Sequence, residues 1–142
     1  MKLISFRHGE RNSYGEVRGE QVADFGGLDG APSDLKAAIA AGLLDKLAAQ
    51  AEASLRMDAV QLLPVIPNPG KILCVGHNYE SHRQETGRAK VGSPSIFIRF
   101  ADTLTAHGAQ IVRPNVSLNL DYEGELAVII GCLLYTSDAA DE

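Results

Sequence analysis

The chain has 142 residues, of which 45% are hydrophobic and 22% charged, the balance of a globular protein. A net charge of -5 and the absence of tryptophan argue against nucleic acid or an anionic membrane as a partner. No apolar run reaches the roughly 18 residues that a membrane span needs, and the N-terminus lacks the apolar core of a signal peptide. Two cysteines, Cys74 and Cys132, do not make a disulfide framework. We therefore predict a soluble, cytoplasmic protein.

The first 67 residues are predicted to form a small N-terminal α/β domain. Alternating residues and turn glycines predict short strands across residues 2–25. Ser33 is the expected N-cap of a short helix that runs through Ala40. Leucines at helical spacing then predict a second apolar helix face. These are Leu43, Leu44, Leu47 and Leu55.

A cluster of helix and strand breakers, residues 64–70, marks the clearest boundary in the chain. After it, residues 71–76 are continuously apolar and predict a buried strand. Residues 78–85 have helical spacing, with Gly87 as the expected stop. Further strands are predicted at residues 95–100, 110–113 and 121–131. The fold class is thus α+β, with residues 71–131 as a truncated catalytic domain that begins a mostly β roll.

The last eleven residues, 132–142, differ in character from the apolar strand predicted before them. Their sequence, CLLYTSDAADE, resembles the translation of a transposase-type sequencing adapter along its whole length. We predict that Gly131 is the last native residue and that 132–142 is a non-native tail. A natural acidic C-terminus is the alternative, and the underlying codons distinguish the two.

Glu123 and Glu125 are the first candidate site residues, because side chains at i and i+2 of a strand share one face. Two carboxylates that close repel each other unless a positive charge lies between them. Oxygen ligands suit a hard cation such as Mg²⁺, Mn²⁺ or Ca²⁺. A solvated edge strand is the alternative, but the apolar residues 126–130 indicate a strand that enters the interior. The spacing alone therefore favours a metal site and an edge strand about equally.

His82 and Glu85 are the second candidate pair, neighbours at i and i+3 on one face of the predicted helix. A carboxylate beside an imidazole fixes its tautomer and raises its basicity, as a general base requires. Such pairs are also common on ordinary helix surfaces. His77 either lines a site or caps the turn, whereas His8 and His107 are expected to be incidental.

In chain order the motifs are KILCVGHNYESHRQETG, SPSIFIRFADTL and DYEGELAVIIG. Together they resemble the catalytic domain of the fumarylacetoacetate hydrolase family, over residues 71–131. The resemblance implies that Glu123 and Glu125 ligate Mg²⁺, or Mn²⁺ or Ca²⁺, and that His82 with Glu85 activates water from a mobile lid.

The resemblance also implies a substrate and a reaction. The implied substrate is a small keto acid, and the implied reaction is hydrolysis of a C–C bond in a 3-oxo or 2,4-diketo acid. Arg99, Asn78 and Tyr79 would contact the substrate, although Arg99 is equally consistent with a solvent-facing cation. Decarboxylation, isomerisation or dehydration of a 2-oxo acid through a metal enolate is the first alternative. A non-enzymatic domain in which Glu123 and Glu125 are structural is the second.

The chain departs from the family in one respect, since the family's third metal carboxylate, an aspartate on a later strand, has no counterpart here. Asp138 and Asp141 lie in the suspected tail and are not assigned that role. Two carboxylates alone are expected to bind Mg²⁺ weakly. We therefore expect the parent protein to be an enzyme and a homodimer, and the chain as written to be inactive.

Overall fold

The computed structural model describes residues 1–90 and 92–131, and it confirms the α+β class. The strands are β1 (Leu3–His8), β2 (Arg11–Arg18), β3 (Gln21–Asp24), β4 (Ala53–Arg56), β5 (Gln61–Leu62), β6 (Ile72–Gly76) and β7 (Ser95–Arg99). The helices are α1 (Leu35–Ala40), α2 (Leu44–Gln50) and α3 (Glu80–Glu85). Within the described ranges, no helix is long and apolar enough to cross a membrane. The cytoplasmic location stays a prediction, and residues 132–142, the suspected tail, lie outside the described residues.

A five-stranded antiparallel sheet organises the N-terminal region, with strand order β4-β3-β2-β1-β5. Because side chains alternate along each strand, the sheet contributes to two apolar clusters. One cluster contains Ile4, Phe6 and Val22. The other joins the sheet to α1 and α2 and consists of Tyr14, Ala23, Phe25, Leu35, Ala38, Leu47 and Ala51. The short strands predicted for residues 2–25 are confirmed.

Tyr14 is the largest fully buried side chain of this region. Its ring meets that of Phe25 edge to face, with 6.3 Å between the ring centroids. Its hydroxyl donates a hydrogen bond to the carbonyl oxygen of Pro32 at 2.9 Å. A buried tyrosine needs such a partner, because an unpaired buried hydroxyl is costly. Tyr14 therefore fixes the loop that precedes α1 onto the sheet.

Two details of the predicted helices are wrong. Asp34 rather than Ser33 is the N-cap of α1, because the Asp34 carboxylate accepts the backbone N–H of Ala37 at 2.8 Å. An ionised carboxylate is a stronger acceptor there than a serine hydroxyl. Leu55, assigned from its spacing to the second helix, lies instead in β4 and pairs with Val22. The helix ends at Gln50, and residues 53–56 pair with β3 at the edge of the sheet.

Residues Pro67–Leu104 form a compact unit of their own. Its β-hairpin pairs Ile72 with Arg99 at one end and Gly76 with Ser95 at the other. Both strands and α3 match the sequence prediction, as does the stop at Gly87, whose φ of 66° closes the helix. The prediction that the first strand is buried is wrong, since Leu73 is 62% exposed. One face of β6 is half-buried, whereas its other face and all of β7 are exposed, so an isolated two-stranded hairpin buries little of its side-chain surface.

The second compact unit consists of Met1–Ile66 together with residues 105–131. Residues 105–131 form neither helix nor strand, so the strands predicted at 110–113 and 121–131 are wrong for this structure. Their apolar side chains are exposed, for example Val112 at 84% and Leu126 at 82%. A strand requires a hydrogen-bonded neighbour, and none among the described residues pairs with this segment.

Candidate functional site

The connection from β6 to α3 contains the most unusual backbone of the described residues. His77 has a φ of 53°, and it is the only described non-glycine residue with a positive φ. The left-handed conformation costs an L-residue about 1–2 kcal/mol, and such strain concentrates at functional sites. Asn78 follows and is exposed. Tyr79 is the N-cap residue of α3, and its carbonyl oxygen accepts the backbone N–H of Arg83 at 3.0 Å.

Helix α3 brings the predicted pair His82 and Glu85 together. Nδ1 of His82 lies 3.8 Å from a carboxylate oxygen of Glu85, within ion-pair range but beyond a hydrogen bond. The side chain of His82 is 36% exposed and that of Glu85 is 81% exposed. Both are thus accessible to a small molecule. The spacing of three residues predicted their proximity, and their catalytic role stays a prediction.

The ring of His77 stacks against the ring of His82. The two ring centroids are 5.6 Å apart and the planes differ by 15°, a geometry within the usual range for aromatic pairs. The sequence left the role of His77 open, because five residues across a strand-to-helix turn correspond to no helical or strand period. The same residue therefore combines a left-handed backbone with an aromatic contact to α3.

A further interaction on the same helix was not among the predictions, although its residues have helical spacing. The guanidinium of Arg83 donates to both carboxylate oxygens of Glu80, at 2.8 Å from Nε and 2.7 Å from Nη2. Gln84 donates to Glu80 as well, at 2.8 Å. These donors, Arg83 first, lower the pKa of Glu80 to about 2. The spacings i, i+3 and i, i+4 were available to predict this cluster.

Arg99 is the final residue of β7, opposite Ile72, and it is exposed. A guanidinium at a strand end is accessible to an anionic ligand, and its planar fork matches a carboxylate. Tyr79 is 44% exposed. The Pro67–Leu104 unit thus contains all the candidate residues other than the two glutamates, namely His77, Asn78, Tyr79, His82, Glu85 and Arg99. Substrate binding by Arg99, Asn78 and Tyr79 stays a prediction.

Glu123 and Glu125 belong to the other unit and are both exposed. Because 121–131 is not a strand here, the prediction that they share one strand face is wrong for this structure. Their carboxylate oxygens suit a hard divalent cation in chemistry. Across residues 1–90 and 92–131, however, no three His, Cys, Asp or Glu side chains are grouped to bind a metal. Two protein ligands of the right type are thus present, and their role stays a prediction.

A family model described as "Fumarylacetoacetate (FAA) hydrolase C-terminal" matches residues 71–141. That stretch is half of the chain and includes the β6–β7 hairpin, α3, Glu123 and Glu125. The protein belongs to the fumarylacetoacetate hydrolase family, as the sequence motifs predicted.

The relatives are longer than this chain, and two of them carry names that state an activity. The chain spans about half the length of the first relatives it matches. It is 44% identical over 80 residues to "Oxaloacetate tautomerase YisK" of Bacillus subtilis, covering 53% of this chain and 26% of that protein. It is 39% identical over 85 residues to the human "Oxaloacetate tautomerase FAHD2A, mitochondrial", covering 60% and 27%.

A solved structure supports the fold. The crystal structure of a putative HpcE protein from Mycobacterium smegmatis superposes with a TM-score of 0.67 at 23% identity. The superposition covers 81% of this chain and 41% of that one. At this identity the likeness concerns the fold alone. It agrees with the α+β architecture described above.

Proposed function

We propose that the whole protein containing this chain is a divalent-metal-dependent enzyme acting on a small 2-oxo acid, with keto–enol tautomerisation as its reaction. The observation that carries the proposal is the His82–Glu85 pair, 3.8 Å apart on an exposed helix within the family-matched region. Two similar proteins are named oxaloacetate tautomerases. Their names favour tautomerisation over the hydrolysis that the sequence first indicated.

His82 is the proposed proton carrier. A carboxylate facing Nδ1 favours the tautomer with its proton on Nδ1, which leaves the lone pair of Nε2 available as a base. Nε2 removes a proton from the carbon beside the keto group, and a proton is returned to the keto oxygen. The product is the enol of the same acid, so the reaction balances without a co-reactant. Positioned acid–base catalysis of this kind contributes about 10²–10⁴-fold.

The remaining residues bind and orient. Glu123 and Glu125 would hold the cation, for which Mg²⁺ is the first candidate and Mn²⁺ and Ca²⁺ the alternatives. When bound, the cation would supply positive charge to the oxygens of the 2-oxo acid. The guanidinium of Arg99 suits a two-point contact with the substrate carboxylate. Asn78 and Tyr79, which precede α3, would donate hydrogen bonds to substrate oxygens.

C–C bond hydrolysis of a 3-oxo or 2,4-diketo acid is the second candidate, and the same His82–Glu85 pair favours it. In that reaction His82 takes a proton from water, the hydroxyl oxygen bonds to the carbonyl carbon, and the adjacent C–C bond breaks. The departing carbon takes up a proton, which yields a 2-oxo acid and a carboxylic acid from an acylpyruvate. Hydrolysis therefore consumes water and makes two products, whereas tautomerisation makes one.

The two candidates separate in one experiment on the whole protein with Mg²⁺. Oxaloacetate is followed by the ultraviolet absorbance of its enol, and an acylpyruvate by proton NMR of its products. We expect faster enol–keto equilibration with the total oxaloacetate unchanged, and no cleavage of the acylpyruvate. Cleavage without tautomerisation would support hydrolysis instead. Inertness toward both substrates would contradict both candidates.

A further inference from the structure

His77 and His82 form an aromatic contact between two parts of the Pro67–Leu104 unit. His77 comes directly after Gly76, whose place in the hairpin is set by its pairing with Ser95. A φ of 53° turns the chain sharply at His77. The ring of His77 then lies nearly parallel to that of His82, with 15° between the ring planes and 5.6 Å between the centroids. The end of a strand thus carries the ring that contacts α3.

The contact with Glu85 is a weaker restraint on the orientation of His82. At 3.8 Å, the distance between Nδ1 and the carboxylate oxygen exceeds that of a hydrogen bond. The side chain of Glu85 is 81% exposed, so its rotamers are little restricted. A ring that could tilt would bring Nδ1 toward the carboxylate only part of the time. A stacked contact restricts that tilt, because stacking depends on near-parallel planes.

We propose that His77 is a positioning residue, which holds the plane of the His82 ring so that Nδ1 faces Glu85 and Nε2 faces away. His77 acts through His82 and does not itself touch substrate. The left-handed backbone is the structural cost of this placement, since glycine or asparagine would adopt it with less strain. The effect of His77 on catalysis rests on the proposed function of His82, whereas its effect on the orientation of the His82 ring does not.

The test is a histidine NMR experiment on the 142-residue chain. The chain has four histidines, so long-range proton–nitrogen spectra resolve each ring and report its tautomer ratio. Two variants separate the ring from the backbone. His77→Asn suits the left-handed backbone but lacks an aromatic ring, and His77→Phe keeps a flat ring. His107→Asn, at an exposed histidine outside this unit, is the matched control.

We expect the ratio of the Nδ1–H to the Nε2–H tautomer of His82 to fall about three- to tenfold in His77→Asn, the range that one aromatic contact supports. His77→Phe should restore most of the ratio, and His107→Asn should leave it unchanged. Preserved amide shifts in β6 and β7 show that the hairpin has kept its fold. If both His77 variants fold and the His82 ratio matches that of the unsubstituted chain, the proposal is overturned.

Kinetics of the whole protein distinguish this proposal from the proposed function. If His82 is the base and His77 positions it, His77→Asn lowers kcat with little change in KM, and His77→Phe recovers most of kcat. Should His82→Gln leave kcat unchanged while the NMR ratio still responds to His77, the proposed function fails and the positioning stands. If His82→Gln lowers kcat but the His82 tautomer ratio does not respond to the His77 variants, the positioning proposal fails and the proposed function stands.

Discussion

Arg83 contacts both carboxylate oxygens of Glu80 across one turn of α3, at 2.8 and 2.7 Å. The same guanidinium donates to the backbone carbonyl oxygen of Arg88, beyond the end of the helix. Glu80 lies in the first turn, where a negative charge also suits the helix dipole. This pair therefore links the start of the helix that carries His82 to the chain that follows it.

The Glu80–Arg83 pair predicts an acid transition confined to α3. Because the pKa of Glu80 is lowered from 4.5 to about 2, its contribution to stability is fully present above pH 4.5. That contribution is lost as the pH falls from 4.5 toward 2, when the carboxylate is protonated. NMR titration of the Glu80 carboxyl carbon should show a midpoint near 2. In Arg83→Gln the midpoint should move back toward 4.5, and a midpoint of 4.5 without any substitution would contradict the pairing.

Hydrogen bonds from the side chain of Arg18 connect β2 to the C-terminal end of α2. Its guanidinium donates to the carbonyl oxygens of Ala48 at 2.6 Å and Ala51 at 2.9 Å, at the C-terminal end of the helix. Hydrogen bonds from charged groups are worth more than neutral ones, so we expect Arg18→Met to lower the free energy of unfolding by about 2 kcal/mol. Urea denaturation measures the change. Arg56→Met is the control, because the Arg56–Asp58 pair is exposed and should show no measurable loss.

Removal of the Tyr14 hydroxyl should have a smaller effect on the free energy of unfolding. Tyr14→Phe removes the hydrogen bond to Pro32 while keeping the edge-to-face contact with Phe25, and we expect a loss of about 1 kcal/mol. Tyr122→Phe is the matched control, since Tyr122 is 93% exposed. Equal unfolding free energies for the two variants would contradict a structural role for the Tyr14 hydroxyl.

Tyr14 also predicts a loss of stability at high pH. Burial, and then the charges of Asp34 and Asp24, raise the pKa of Tyr14 above its ordinary value of 10.0. Above pH 10 the unfolded chain loses this proton while the folded chain retains it, so the free energy of unfolding falls as the pH rises. In Tyr14→Phe this part of the pH dependence should disappear, as measured by urea denaturation across that range.

The elements that the sequence predicted well are those set by neighbouring residues. The strands of residues 2–25 form hairpins with two-residue turns, so each strand finds its partner a few residues away. Helix α3 and its stop at Gly87 depend on local hydrogen bonds alone. The His82–Glu85 contact follows from helical spacing in the same way. Local periodicity was sufficient in each case.

The failures involve distant partners or competing side chains. Residues 121–131 have strand-like composition, but a strand exists only with a hydrogen-bonded neighbour, and spacing cannot supply one. Leu55 continues a helical pattern in the sequence, but in the structure it belongs to the edge strand β4 and pairs with Val22. The stacking of His77 on His82 occurs at a left-handed residue, a conformation that no periodicity predicts. Tertiary context decided all three.

Glu123 and Glu125 predict the metal dependence of the whole protein. We expect Glu123→Gln and Glu125→Gln each to weaken Mn²⁺ binding by about 10-fold or more, because a neutral amide is a poorer ligand for a hard cation. Electron paramagnetic resonance of free Mn²⁺ gives the affinity. Glu10→Gln, at an exposed glutamate in the β1–β2 turn, is the control. Unchanged Mn²⁺ binding with an intact fold would favour a structural role for the two glutamates.

The most direct test of the proposed role of His82 compares the steady-state rate of oxaloacetate tautomerisation, with Mg²⁺, between the whole protein and its His82→Gln variant. If His82 carries the proton, kcat should fall by about 10²-fold or more. Mn²⁺ affinity should stay unchanged in the same variant, because His82 is not a proposed metal ligand. Equal values of kcat for the two proteins, with the metal bound in both, would contradict proton transfer by His82.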